Sequence, residues 1–181
     1  SNEDHERKWY LYGEKSQMGP KIGHQSERGT AFKIIFEKKE CSFETNLVGK
    51  HNILNLASVL IYAMSEGFSV AQLNDAIKNL QMVKRRQEER GYYKETLIID
   101  DFAHHPRAVE VTVDAIKTKY KRKSITVVME PNSATARSAI FQNEFYESLK
   151  DAKRVIFTKP TRPTSVKDVG DLDIQKIVDQ V

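Results

Sequence analysis

From Thr96 onward the apolar residues alternate between short strand-like runs and longer helical runs. Thr96-Leu97-Ile98-Ile99 stops at Asp100-Asp101. Ser124-Ile125-Thr126-Val127-Val128-Met129 stops at Glu130-Pro131, and Arg154-Val155-Ile156-Phe157 stops at Thr158-Lys159-Pro160. Helical spacing follows each run: from Pro106 to about Tyr120, from about Ala136 to Leu149, and near Ile174 to Val181. Pro106 suits a first helical turn, where no backbone N–H is needed. Strand and helix taken in turn mark parallel βαβ units, because a parallel neighbour is reached only through a crossover. The spacing predicts an α/β domain with a Rossmann-like parallel sheet of three strands. There is no G-x-G-x-x-G, so the usual dinucleotide fingerprint is absent.

The earlier residues read differently. Trp9-Tyr10-Leu11-Tyr12 ends at Gly13, and Gly19-Pro20 and Gly23 punctuate a polar stretch. Thr30 to Phe36 and Cys41 to Leu47 are strand-like and flank Glu37-Lys38-Lys39-Glu40, a hairpin connection. Residues 52–65 carry Ile53, Leu56, Ala57, Leu60, Ile61 and Met64 at helical spacing up to Gly67, and Ser69 opens a second helix. Lys84 to Gly91 is a polar hinge. A boundary at residues 92–95 is therefore expected, with domains 1–93 and 94–181.

Composition narrows the classes. Lys plus Arg is 29 and Asp plus Glu 25, a net charge of +4 spread along the chain with no basic arm, which argues against a nucleic-acid partner. No apolar run reaches the ~20 residues of a membrane-spanning helix, so no membrane partner is expected. The single Cys41 forms no internal disulfide and fits a reducing cytoplasm.

Open parallel sheets bind ligands at the carboxyl ends of their strands. The first such end, Asp100-Asp101-Phe102-Ala103-His104-His105-Pro106, holds two carboxylates and two imidazoles. They fit either plain loop hydrogen bonding or a nucleotide site, in which an Asp accepts from ribose hydroxyls and a His reaches phosphate. Adjacent histidines point in different directions and no third ligand is evident, so no metal site is expected. The second end offers Ser133, Thr135 and Arg137 beside an expected helix start, suited to an anionic ligand or to helix capping. Asn52 and Asn55 share one helix face and could read an adenine edge, or Asn52 could simply cap its helix. Lys84 to Arg90 is a solvated charge run or a phosphate contact.

In order and spacing these four pieces resemble the Mur ligases, the ATP-dependent amide-forming enzymes of peptidoglycan synthesis. The pieces are Gly49-Lys50-His51-Asn52-x-x-Asn55, Arg85-Arg86-x-Glu88 with Arg90-Gly91, Asp100 to Pro106, and Glu130-Pro131-x-Ser133. Phe102-Ala103 and Glu130-Pro131 look most like the murein-recycling branch, which attaches L-Ala-γ-D-Glu-meso-diaminopimelate to UDP-N-acetylmuramate. The branch that attaches L-alanine shares the Asp-Asp and His-His-Pro pattern and is the alternative. The resemblance implies ATP and Mg²⁺ as cofactors. It assigns Asn52 and Asn55 to adenine, Arg86 to the ribose–phosphate region, Asp101 to ribose, His104 to the phosphates, and Ser133, Thr135 and Arg137 to the incoming peptide. No catalytic residue is assigned. Asn132 stands where the recycling branch has Arg, which puts the peptide in doubt. There is no G-x-x-x-x-G-K-[ST]. The chain is therefore expected to be the tail of a P-loop-type central domain plus most of a C-terminal domain, inactive alone. A non-catalytic nucleotide- or peptide-binding module is the remaining alternative.

Overall fold

The computed structural model describes residues 10, 13, 15–78, 80, 83–134, 136–159 and 170–180. The chain divides into two compact units, Ser1–Leu80 and Gln81–Val181.

The first unit is an antiparallel sheet covered by two helices. Strands β1 (Lys21–Ser26), β2 (Gly29–Phe36) and β3 (Lys39–Thr45) pair in sequence order. Alternation sends Phe32, Ile34, Phe36, Cys41 and Phe43 to one face. There they meet Ile53, Leu56, Ala57, Leu60, Ile61 and Met64 of α1 (Lys50–Ser65) and Leu73 and Ile77 of α2 (Val70–Lys78). Burying each such side chain is worth about 1.5–3 kcal/mol, so this face dominates the unit's stability. Gly49 precedes α1 at φ 97°, a left-handed conformation that glycine enters without strain. Ser69 and Gln72 exchange bonds as a capping box at the start of α2: the Ser69 N–H donates to Gln72 Oε1 (2.9 Å) and the Gln72 N–H to Ser69 Oγ (3.3 Å). The open edge of β3 is met by one carboxamide. Asn74 accepts from the Glu44 N–H (3.2 Å) and donates to the Ser42 carbonyl (2.9 Å).

Strand β1 was not expected. It is a polar edge strand whose Ile22 packs on the core, so it carries no apolar alternation to read. The Trp9 to Tyr12 strand lies outside the described residues except for Tyr10, which has no regular structure and packs its ring on Phe36.

The second unit contains β4 (Glu88–Tyr93), β5 (Thr96–Asp100), α3 (Pro106–Lys119), β6 (Thr126–Met129), α4 (Gln142–Leu149), β7 (Arg154–Phe157) and α5 (Ile174–Gln180). β6 and β7 pair in parallel, Thr126 with Arg154 through Met129 with Phe157. Val109 and Val113 of α3, Met129, Phe145 and Leu149 of α4, Leu172 and Ile177 form the core, with Val127, Val155 and Phe157 packed against it. This is the expected α/β class with a parallel pair. The strand pairing differs: among the described residues β5 pairs antiparallel with β4 rather than joining β6. The expected hinge 84–91 thus supplies part of β4. The expected boundary at 92–95 falls in the hairpin that joins β4 to β5, while the units part at Leu80 and Gln81. β4 is charged and exposed, and its pairing is its only strand signal. The expected helix from Ala136 begins only at Gln142, after a 3-10 turn at Ala139–Phe141.

The β2–β3 hairpin has a local misfit. Phe36 pairs with Lys39, so Glu37 and Lys38 alone make the loop, at φ 46° and 65°. Both belong to a type I′ turn, which favours Asn-Gly. Replacing Glu37-Lys38 by Asn-Gly should stabilise the first unit by about 1 kcal/mol, since left-handed conformations cost ordinary residues about that much. Urea unfolding followed by circular dichroism measures it. An unchanged or lower midpoint would refute the turn assignment.

Candidate functional site

The carboxyl end of β5 and the loop before β4 are knotted together by backbone bonds. Asp101 Oδ2 accepts from the Gln87 N–H (2.9 Å) and Oδ1 from the Ala103 N–H (2.8 Å). The Phe102 N–H donates to the Arg85 carbonyl (2.8 Å). Arg85 and Gln87 stand at φ 59° and 49°, and the Arg85 N–H donates to Glu88 Oε2 (2.8 Å). Exposed Arg86 therefore sits between two residues in left-handed conformation, a backbone state that residue type alone does not announce.

Neither carboxylate of the Asp pair is bare. Asp101 holds two N–H groups, and Asp100 faces Arg90 Nη2 at 3.4 Å and Arg85 Nε at 3.9 Å. The Arg85 guanidinium also lies over the Phe102 ring, 5.3 Å from its centroid. His104 Nδ1 sits 2.9 Å from the Phe102 carbonyl. A carbonyl only accepts, so Nδ1 carries the proton and Nε2 is the ring's other polar atom. His105 has a structural task. Its Nδ1 accepts from the Arg107 N–H (3.3 Å) as the N-cap of α3, and its ring meets Phe141 edge-on at 4.8 Å. That contact joins the end of β5 to the segment following β6. Arg85 and Arg86 are exposed guanidinium groups able to hold an anion, and His104 is exposed on the neighbouring loop.

The end of β6 forms a second, irregular loop. Pro131 is buried, and Ser133 Oγ accepts from the Ala136 N–H (3.0 Å) while its carbonyl accepts from the Arg137 N–H (3.0 Å). Ser133 thus caps a turn, not the helix expected there. Arg137 Nη1 donates to the Asn132 carbonyl, and Arg137 Nε is buried with no hydrogen-bond partner among the described residues. Thr135 lies outside the described residues. Asn52 and Asn55 belong to the first unit. Asn52 Nδ2 donates back to the Val48 carbonyl (2.9 Å), so Asn52 is not the N-cap of α1, and the Asn55 side chain is exposed. Arg85, Gln87 and Arg90 lie in the charge run that the sequence marks only as a whole; the backbone twist and pairing that place each of them are non-local. Among the described residues no group of three potential metal ligands occurs, and no helix is long and apolar enough to cross a membrane.

A family model described as "Mur ligase, glutamate ligase domain" matches residues 85–180. The chain belongs to the Mur ligase family. A UDP-N-acetylmuramate–L-alanine ligase of Streptococcus sanguinis is 31% identical over 176 residues, covering 95% of this chain and 39% of its own length. This Mur ligase chain therefore spans about two fifths of that relative. Among solved structures, a UDP-N-acetylmuramate–alanine ligase of Thermotoga maritima superposes with a TM-score of 0.68 at 22% identity, over 82% of this chain and 34% of that one. A murein peptide ligase of Psychrobacter arcticus gives 0.57 at 23% identity, over 92% and 33%. These two structures establish the shared Mur ligase fold. The match to Streptococcus sanguinis runs against the expectation of a recycling ligase and favours its L-alanine alternative.

One ion pair fastens the β4–β5 hairpin to α3. Glu89 Oε1 accepts from Lys119 Nζ (2.6 Å) and from the Tyr120 hydroxyl. The Lys119 hydrogen bond first, and the Tyr120 bond next, hold the Glu89 carboxyl below the usual glutamate range against the opposing effect of burial. A depressed folded pKa adds stability that is present above the unfolded value and is lost as pH falls through the folded one. Glu89 is 46% exposed, so the contribution is small, about 0.5 kcal/mol. Glu89→Gln should lower the unfolding midpoint at pH 7, with a loss that shrinks at an acidic pH below the folded value, where the carboxyl is protonated in both states. An equal loss at both pH values would show that the charge is not responsible.

Proposed function

We propose that this chain is part of an ATP-dependent ligase that joins the lactyl carboxylate of UDP-N-acetylmuramate to L-alanine. The observation that carries the reading is the 31% identity to a UDP-N-acetylmuramate–L-alanine ligase along 95% of the chain. In this reaction a carboxylate oxygen attacks the γ-phosphorus of ATP, ADP departs and an acyl phosphate forms. The amine nitrogen then attacks the acyl carbon, phosphate leaves and the nitrogen loses its proton. Mg²⁺ brought with ATP would supply charge neutralisation at the transferred group, and its ligands would come from the rest of the parent protein. These 181 residues contain no G-x-x-x-x-G-K-[ST], so the phosphate cradle is assigned to the rest of the parent protein, and the chain alone is expected to be inactive.

On this reading Arg86, Asp101 and His104 serve the ribose and phosphates. The exposed guanidinium groups of Arg85 and Arg86 support the phosphate role. Asp101 contributes to ribose binding only with the lone pairs left by its two backbone bonds, so its main effect is to fix Arg86 and His104 in place. The β6-end loop, with Ser133, Thr135 and Arg137, receives the acceptor.

Two features support L-alanine over a tripeptide. Asn132 supplies no cation, and Arg137, the candidate replacement, spends Nη1 on the Asn132 carbonyl. A tripeptide with several carboxylates would leave more of them without a partner here than a single amino acid does. Phe102-Ala103 and Glu130-Pro131, through the resemblance they carry, keep the murein tripeptide as the second reading.

Phosphate release by the full-length parent separates them. Turnover with ATP, UDP-N-acetylmuramate and L-alanine is expected, with little or none for the tripeptide. Turnover of the tripeptide alone would reverse the assignment. In the same protein Asp101→Ala should raise the KM for ATP about tenfold, the scale of one lost charge-assisted bond. An unchanged KM would remove Asp101 from the nucleotide site.

A further inference from the structure

The loop after β6 is held from behind by a segment that follows it by some thirty residues of sequence. The Leu172 N–H donates to the Arg137 carbonyl (2.8 Å) and the Ala139 N–H to the Gly170 carbonyl (2.8 Å). Together they make an antiparallel bridge of Ser138 with Asp171. The bridge is then continued by a side chain. Gln142 Nε2 donates to the Asp173 carbonyl (2.8 Å), and Gln142 Oε1 accepts from the Asp173 N–H (2.9 Å). The carboxamide matches both polar groups of residue 173, as a neighbouring strand residue would.

The same segment is anchored in the core. Leu172 is buried beside Ile177, and Asp173 Oδ1 accepts from the Lys176 N–H (3.0 Å) at the start of α5. Ser138 is fully buried, and Pro131 is buried at the loop's other end. The loop that carries Ser133 and Arg137 is thus pinned at both ends, and at the Arg137 end the pin is residues 170–173.

We propose that Gln142 is a positioning residue for the acceptor: its carboxamide locks residues 170–173 against 137–142 and so sets where the Arg137 guanidinium is presented. Gln142 touches neither substrate nor nucleotide in this scheme. The inference rests on the reading that the β6-end loop receives the acceptor. Misplacing a binding group by about 1 Å costs up to a hundredfold, so loss of the lock acts on acceptor binding and leaves ATP binding alone.

The test uses Gln142→Leu, which removes both bonds at similar size, and Gln142→Glu, which keeps the acceptor and loses the donor. In the full-length parent the KM for the acceptor should rise about tenfold in Gln142→Leu and less in Gln142→Glu. The KM for ATP should stay within about twofold of wild type. Hydrogen exchange at the Ala139 and Leu172 amides should quicken in the same order, while the amides of β6 and β7 keep their protection. If Gln142→Leu fails to fold, Gln142→Glu alone decides. An unchanged acceptor KM in a folded variant overturns the inference, as does an equal rise in both KM values. A wild-type parent that turns over neither L-alanine nor the tripeptide overturns the reading beneath it.

Discussion

A single carboxylate organises the first strand end. Asp101 takes one backbone N–H from the loop before β4 and one from its own loop. A backbone N–H in a loop must find an acceptor, and two of them converge on one anion here. With Arg85 and Gln87 held in left-handed conformations, the loop cannot relax to a common turn without breaking these bonds. The exposure of Arg86 and His104 follows from this arrangement, since their backbone neighbours are the bonded residues. The Asp pair divides its work: Asp100 answers the guanidinium groups of Arg85 and Arg90, and Asp101 answers the backbone.

Side-chain carboxamides do a related job in both units. Asn74 pairs with the backbone of β3, and Gln142 pairs with the backbone of residue 173. Each offers a donor and an acceptor in the geometry of a peptide group, so each extends a strand contact without another strand. The effect differs with context. Asn74 satisfies an edge that would otherwise face solvent or another chain, whereas Gln142 fixes an irregular loop to a distant segment.

What the sequence discloses follows from how local each feature is. The apolar faces of β2, β3, α1 and α3 rest on residue spacing, and the structure puts them where the spacing does. β1 and β4 are polar strands that exist through their partners, so no periodicity marks them. The helix expected from Ala136 is shortened by Ser133 and by the bridge to Asp171, a contact that joins distant residues. At the site, residue types and order carry the family resemblance. The tasks of Asp101, His105 and Arg137 depend on partners distant in sequence, among them Gln87, Phe141 and Leu172, and on backbone twist, and these are not legible.

The chemistry of Arg137 bears on acceptor size under the proposed function. A guanidinium has five N–H donors. One Nη1 bond closes the loop on the Asn132 carbonyl, and Nε lies buried without a partner among the described residues. A buried unpaired donor is costly, and an incoming carboxylate oxygen that reached Nε would relieve that cost on binding. One carboxylate can do so, with one oxygen at Nε and the other at the N–H that shares its edge of the planar group. A second or third carboxylate on a longer acceptor would need cations elsewhere, and Asn132 offers none. Under the proposed function the loop's own hydrogen bonding therefore leaves one guanidinium edge for one acceptor carboxylate.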